Sequence, residues 1–214
     1  MDYEELRELM VKMQLIPRGI KDERVLNAMK KVPRHLFVED SFKQKAYDDT
    51  ALSIGEGQTI SQPYMVAIMT ELMELKGDEK ILEVGTGSGY QAVILAELAR
   101  EVYTIERVAS LANKAKEKFS AIGYNNIHIM VGDGTLGWQE EAPFDRIIIT
   151  AGGPKVPEPL IEQMSEDGII VAPIGDRFTQ LLLKIIKSEG RISKEEFIPC
   201  VFVPLIGAYG WREE

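Results

Sequence analysis

Cysteine and histidine are nearly absent from this chain, and two kinds of chemistry go with them. The one cysteine, Cys200, sits in the apolar run Phe197 to Leu205. It can form no internal disulfide, so a reducing compartment is the simplest setting and a buried, inert thiol is the expectation. The two histidines, His35 and His128, belong to no set of ligand residues at metal-binding spacing. Both read as surface or core residues, and no metal is expected. Basic charge is also short: 25 Lys plus Arg against 34 Asp plus Glu leave a net charge of −9. That balance gives no electrostatic reason to expect a nucleic-acid partner. No run of about 20 apolar residues occurs, and the opening MDYEELRELM is acidic and helix-patterned rather than a basic segment followed by an apolar one. No membrane span or membrane partner is expected, and the expected location is the cytoplasm.

Internal repeats, low-complexity segments and linkers are missing too. What remains is 214 residues of which 45% are apolar, enough for one α/β domain that buries roughly 70–75% of its unfolded surface. The expectation is a single domain over 1–214, acting as a monomer. It divides into a helical and loop region (1–76), a cofactor-binding core (77–175) and C-terminal strands (176–214).

Met1 to Leu15 is patterned as a helix through Leu6, Leu9, Met10 and Met13, and Pro17 with Gly19 ends it. Asp22 can cap a second helix carrying Val25, Leu26 and Met29, which Pro33 closes. Ala46 to Ile60 reads as a long ordered loop, and long loops in compact domains tend to be functional. Asp48 and Asp49 within it are expected to serve a turn. Pro63 fits the first position of a helix running to Leu75, with Ser61 or Gln62 at its cap.

From Gly77 onward, apolar runs at Lys80 to Val84, Glu101 to Ile105, Ile127 to Val131, Arg146 to Thr150 and Gly168 to Ala172 alternate with helical patterns. The helices fall near Gln91 to Ala99, Ser110 to Ile122 and Pro159 to Glu166. This alternation predicts a mostly parallel, doubly wound sheet with helices on both faces. Gln180 to Lys187 and Phe197 to Val203 add two strands across the turn Ser188-Glu189-Gly190-Arg191, so the sheet is expected to end in an antiparallel pair, under an N-terminal helical cap.

The first strand runs into Glu83-Val84-Gly85-Thr86-Gly87-Ser88-Gly89. Glycines there permit positive φ and close approach of a ligand to the backbone. Alone, the pattern fits a tight strand-to-helix turn as well as a ligand site. Glu106, ending the second strand 21 residues after Gly85, is placed to take the two hydroxyls of an adenosine ribose. Asp133-Gly134, ending the third, could hold an adenine amino group. Glu83 puts a carboxylate near the cofactor's middle, where it would repel a pyrophosphate but attract an ammonium and a sulfonium. With Gly-x-Gly-x-Gly rather than Gly-x-Gly-x-x-Gly spacing, S-adenosylmethionine is preferred over NAD.

The same residues resemble the first motif of the Rossmann-like S-adenosylmethionine-dependent methyltransferases. Enzymes that methylate DNA amino groups carry an Asn/Asp-Pro-Pro-Tyr-like motif after the fourth strand; Thr150-Ala151-Gly152-Gly153-Pro154 stands here, which disfavours an exocyclic amine as substrate. Three segments together are similar to the protein-L-isoaspartate (D-aspartate) O-methyltransferases, in their bacterial form. They are Gly57 to Met65, Thr150 to Pro157 and Phe202-Val203-Pro204-Leu205, supported by Pro33-Arg34, Phe37-Val38 and Gly132-Asp133-Gly134. Tyr64 stands where animal members carry His.

This resemblance implies methyl transfer to the α-carboxyl of L-isoaspartyl residues in damaged proteins and peptides, with D-aspartyl residues as further substrates and S-adenosyl-L-homocysteine as product. It implies Ser61 as the active-site serine and Gln58, Thr59, Val203 and Leu205 as substrate contacts, Val203 and Leu205 through their backbone. The implied cofactor set is Thr59, Ile60, Ser61, Glu83, Gly85, Thr86, Gly87, Glu106, Arg107, Asp133 and Gly134. The residues alone leave other readings standing: Ser61 as a helix cap, Val203 and Leu205 as core, and the whole chain as a nicotinamide-dependent oxidoreductase or a cofactor-binding module without activity.

Overall fold

A computed structural model describes residues 2–213. The N-terminal helix α1 (Tyr3–Met10) starts on a reciprocal cap: Asp2 accepts from the Glu5 amide at 2.9 Å while Glu5 accepts from the Asp2 amide at 3.2 Å. The helix expected to Leu15 continues beyond α1 as a π-helical turn, Val11–Leu15, and a 3-10 turn, Ile16–Arg18, and ends at Gly19 with φ 93°; Met1 lies outside the described residues. Asp22 caps α2 (Glu23–Lys31) as expected, accepting from the Arg24 amide at 2.8 Å.

The segment expected as a long loop, Ala46 to Ile60, holds a β-hairpin instead, β1 (Leu52–Gly55) and β2 (Gln58–Ile60). Glu56 and Gly57 form its tip with φ 53° and 68°, the paired positive values of tight hairpin turns. Strands of four and three residues carry too little alternation to stand out in sequence. Nor is Asp49 merely a turn residue: its carboxylate meets Arg18 at 2.6 Å and accepts from the Gln62 side chain, through Nε2, at 3.3 Å.

After α3 (Pro63–Leu72) come β3 (Lys80–Val84), α4 (Tyr90–Ala96), β4 (Glu101–Glu106), α5 (Ala109–Ala121), β5 (Ile127–Val131), β6 (Phe144–Ile149), α6 (Glu158–Glu162), β7 (Met164–Gly175), β8 (Gln180–Ser188) and β9 (Arg191–Cys200). The seven long strands form one sheet in the order β5-β4-β3-β6-β7-β8-β9. It is parallel from β5 to β7, and β8 runs antiparallel to both of its neighbours.

The last strand corrects its expected span of Phe197 to Val203. It begins at Arg191 and ends at Cys200, because as the sheet's edge it carries Lys194, Glu195 and Glu196 in solvent and presents little apolar pattern. Likewise α6 stops at Glu162, and β7 already starts at Met164.

Alternate residues of the central strands feed two cores. Ile81 and Ile148 join Met29, Met69, Tyr90 and Phe119 beneath α2 to α5. Leu82, Val84, Ile147 and Ile170 pack with Leu160 on the opposite face. Burial on both faces is what the near-continuous apolar runs of parallel strands indicate. Because β4 and β5 lie on one side of β3 and β6 to β9 on the other, the chain reverses its winding at β3, and a crevice opens beyond the carboxyl ends of β3 and β6.

Candidate functional site

The crevice encloses roughly 910 Å³ of atom-free space, mouth included. At its floor β3 gives way to the glycine turn. Gly85 has φ 100°, and a Cβ there would stand 2.4 Å from Thr150 Oγ1, whose hydroxyl donates to the Gly85 carbonyl at 2.6 Å. Gly89 has φ 87°, and a Cβ would meet Phe119 Cε1 at 2.6 Å. Both positions exclude a side chain: Gly85 lines the cavity with bare backbone beside Thr150, while Gly89 lets the turn pack against Phe119 of α5.

Glu106, at the end of β4, holds this turn. Its Oε2 accepts from the Gly87 amide at 2.8 Å and its Oε1 from the Val108 amide at 2.9 Å, while it still lines the cavity. Glu83 takes a different place. It is fully buried and is not among the lining residues. Its Oε2 accepts from Thr104 Oγ1 at 2.5 Å, and the Thr86 hydroxyl, 2.6 Å from Thr104 Oγ1, is thereby the donor in the next link. The carboxyl group expected beside a cofactor's middle therefore sits behind the turn, linked to it through Thr104 and Thr86. Burial pushes its carboxyl up to about 8; the Thr104 hydrogen bond opposes the rise and the nearby charge of Glu106 adds to it. Its Oε1 has no partner among the described residues.

Asp133 is likewise drawn away. Its Oδ1 accepts from the amide and hydroxyl of Thr135 at 2.9 and 2.6 Å, and its Oδ2 from the Ala208 amide at 2.7 Å, so it braces the C-terminal segment while Gly134 alone lines the cavity.

The opposite wall is the second hairpin strand and the turn leading into α3: Gln58, Thr59, Ile60 and Ser61 all line the cavity. The cap position of α3 falls on Gln62, with no side chain capping it and Pro63 at the first turn. Ser61 is thus relieved of the capping role that its sequence position allowed. Its carbonyl accepts from Arg34 Nη2 at 2.7 Å. Arg34 lies behind this wall rather than in the lining, and the sequence showed it only as part of a motif; nothing in Pro33-Arg34 told that its side chain turns inward. Tyr64 is covered instead by Arg18, whose guanidinium carbon lies 3.4 Å from the ring centroid.

Val203 and Leu205 close the third side. The Gly152 amide donates to the Val203 carbonyl and the Leu205 amide to the Gly152 carbonyl, each at 2.8 Å, and Gln180 Oε1 holds the Phe202 amide at 2.8 Å. The expectation that both residues offer their backbone outward is limited by these bonds. Gly152 and Gln180 are further positioning residues that periodicity could not reveal, since they act across the sheet. Among the described residues, the charged side chains lining the cavity are Glu106 and Arg107, and Arg107 also pairs with Glu213 at 2.8 Å. Both lie at or just past the end of β4, so the Ser61 end of the cavity is lined by neutral groups alone.

No group of three or more His, Cys, Asp or Glu able to hold a metal occurs among the described residues, and none of their helices is long and apolar enough to cross a membrane. Cys200 is buried, and that burial pushes its thiol up to about 11.

A family model described as protein-L-isoaspartate(D-aspartate) O-methyltransferase matches residues 5–210. A protein-L-isoaspartate O-methyltransferase of Geobacter metallireducens is 55% identical over 215 residues, spanning 100% of both chains. One of Methanoculleus marisnigri is 51% identical across 97% of this chain and 94% of its own. A crystal structure from Plasmodium falciparum, described provisionally as a protein-L-isoaspartate O-methyltransferase in complex with S-adenosyl-L-homocysteine, superposes with a TM-score of 0.81 at 30% identity, covering 94% of this chain and 98% of that one.

Proposed function

The chain belongs to the protein-L-isoaspartate (D-aspartate) O-methyltransferase family, and from that premise we propose that it transfers a methyl group from S-adenosylmethionine to the α-carboxyl of L-isoaspartyl residues in damaged proteins and peptides. The observation that carries this reading is Ser61, released from capping and lining the same cavity as the bare glycine turn.

The residues present fit the cofactor. Gly85 to Gly87 offer uncovered backbone, Glu106 stands at the lip where ribose hydroxyls would meet it, and Gly134 leaves room beside the third strand. Bound there, S-adenosylmethionine supplies an electrophilic methyl carbon on a sulfonium. Glu83 supports its site from behind by fixing Thr86, and the roles of Thr59, Ile60, Arg107 and Asp133 are to shape or brace the walls.

The acceptor needs little help. A carboxyl with an ordinary pKa of about 4 is already ionised near neutrality, so no general base is required. What the chain has to supply is alignment, and positioning alone is worth on the order of 7–11 kcal/mol of barrier. Ser61, Thr59 and Gln58 are neutral donors suited to this, because a contacting Lys or Arg would stabilise the carboxylate in its ground state and weaken it as a nucleophile.

Adjacent residues of an extended segment direct their backbone groups to opposite edges. With the Val203 carbonyl and the Leu205 amide turned to Gly152, the Phe202 amide held by Gln180 and Pro204 lacking an N–H, a substrate peptide would meet the carbonyls of Phe202 and Pro204. Such main-chain recognition tolerates many flanking sequences, as a repair enzyme requires. The ester formed is a better electrophile than the carboxylate, so the neighbouring backbone nitrogen attacks its carbonyl, expels methanol and closes a succinimide unaided, and hydrolysis returns part of it to normal aspartate. The reading includes a single-domain monomer in the cytoplasm, supported by the lone buried thiol and the acidic charge balance.

Labelled methyl transfer to two synthetic peptides that differ only in an aspartyl or isoaspartyl linkage tests the proposal. Base-labile label confined to the isoaspartyl peptide is expected. Equal labelling of the two, or label that survives base, would overturn it.

A further inference from the structure

Arg34 is completely buried and forms no ion pair among the described residues. Its Nε donates to the Ala46 carbonyl and its Nη2 to the Ser61 carbonyl, both at 2.7 Å, while Nη1 has no hydrogen-bond partner. Its guanidinium carbon lies 4.9 Å from the centroid of the Tyr90 ring. The groups around it also make bonds of their own: Tyr90 Oη donates to Met29 Sδ at 3.7 Å, Tyr47 Oη is 2.8 Å from His35 Nδ1, and Asp49 pairs with Arg18. Burial draws the guanidinium pKa down to about 10, against the opposing influence of Tyr90, Tyr47 and Asp49, which leaves it charged near neutrality. A buried charge without a carboxylate in direct contact is unfavourable, and an apolar side chain of similar length would fill the space without that penalty.

Its position gives the charge a task. Gripping the Ser61 carbonyl fixes the plane of the Ser61–Gln62 peptide. In a trans peptide C=O and N–H point in opposite directions, so the Gln62 N–H is aimed away from Arg34. The Tyr64 and Met65 amides, in the first turn of α3, have no partner within the helix either. A positive charge stands behind one peptide and N–H dipoles stand in front of it, in surroundings of low dielectric where a charge is felt over several ångströms.

We propose that Arg34 is a positioning residue for methyl transfer: it clamps the Ser61 carbonyl so that the serine hydroxyl faces the cavity, and its buried charge, one peptide behind the wall and without a carboxylate in direct contact, selects an anionic acceptor over a neutral one. Acting at one remove, it attracts the carboxylate without hydrogen bonding to the lone pair that must attack. The inference rests on the reading of a carboxylate acceptor given above.

The test compares wild type, Arg34→Met and Arg34→Lys. Each is assayed for kcat and KM on an isoaspartyl peptide, for inhibition by the same peptide with its α-carboxyl replaced by a carboxamide, and for S-adenosylhomocysteine affinity. In Arg34→Met, kcat is expected to fall roughly 100-fold, the loss typical of a misplaced reacting group, with S-adenosylhomocysteine affinity within a few-fold of wild type. The preference for carboxylate over carboxamide peptide should fall toward unity. Arg34→Lys, which keeps the charge but cannot bridge two carbonyls, should lose kcat and keep the preference. Added guanidinium ion should restore part of the Arg34→Met activity.

An unchanged preference in Arg34→Met, or an unchanged kcat in Arg34→Lys, overturns the proposal. If Arg34→Met does not fold, Arg34→Lys decides by its kcat and its preference. A wild-type protein that leaves the isoaspartyl peptide unlabelled defeats the functional reading and this inference together; labelling by wild type with indistinguishable variants defeats this inference alone.

Discussion

Ser61 and Glu83 carry the predictions that belong to single side chains. Ser61 makes no cap bond, so its removal costs the fold little. Ser61→Ala should lower kcat by about 10- to 100-fold, as loss of one orienting hydrogen bond does, with S-adenosylhomocysteine affinity within a few-fold and a nearly unchanged melting temperature. Steady-state kinetics beside a binding titration check this, and a large loss of stability would instead return Ser61 to a structural role. Glu83 makes a prediction about pH. Its folded pKa is raised to about 8, so over the interval above its ordinary value of 4.5 the folded protein retains a proton that the unfolded chain has released. Stability therefore falls as pH rises from about 5 to 8 and levels off above, by up to about 5 kcal/mol, since each tenfold difference in proton affinity between the two states is worth about 1.4 kcal/mol. Glu83→Gln cannot titrate. Urea unfolding at several pH values should show the variant gaining on wild type across that window, and parallel curves would count against a raised Glu83.

Elements, rather than residues, make the turn into α4 rigid. Gly89 and Gly123 both have positive φ, 87° and 84°, and differ in surroundings: a Cβ at Gly89 meets Phe119 at 2.6 Å, whereas one at Gly123 has no atom within 4 Å. Gly123→Ala should cost about 1–2 kcal/mol, the backbone penalty alone. Gly89→Ala adds overpacking of about 1–3 kcal/mol and moves the turn that Glu106 holds, so it should also weaken S-adenosylhomocysteine binding. Thermal unfolding of the two variants separates strain from collision, and equal losses would show that the α4–α5 contact yields. Also at this scale, the substrate wall was the least legible part of the sequence. Val203 and Leu205 are recognisable as apolar residues near the C-terminus, but Gly152 and Gln180, which hold that segment, come from β6's exit and the start of β8.

For the molecule as a whole, strands from both halves of the sheet meet at the one crevice where winding reverses. A ligand bound there ties those halves together, and it stabilises the fold by mass action. S-adenosylhomocysteine at 100 times its Kd should add about 2.7 kcal/mol, which for a chain of this size is roughly 5–10 °C in Tm. NAD at the same concentration should leave Tm unmoved. A shift by NAD and none by S-adenosylhomocysteine would favour an oxidoreductase.

Local chemistry was decided by the sequence itself. The alternation of apolar runs and helical patterns set the α/β class, Asp22 set a helix start, and the glycines after β3 set a bare strand-to-helix turn, because each depends on residues a few positions apart. The long-range arrangement was left to the tertiary structure. Glu83 and Asp133 are acidic residues at strand ends in the sequence, yet only packing showed that one is buried behind Thr86 and the other tied to Ala208. Arg34 stood in the sequence only as half of the pair Pro33-Arg34, and it took the fold to show it buried against the carbonyl of Ser61, 27 residues away. Which polar group faces a cavity is settled by hydrogen bonds between segments far apart in the chain, and no periodicity encodes them.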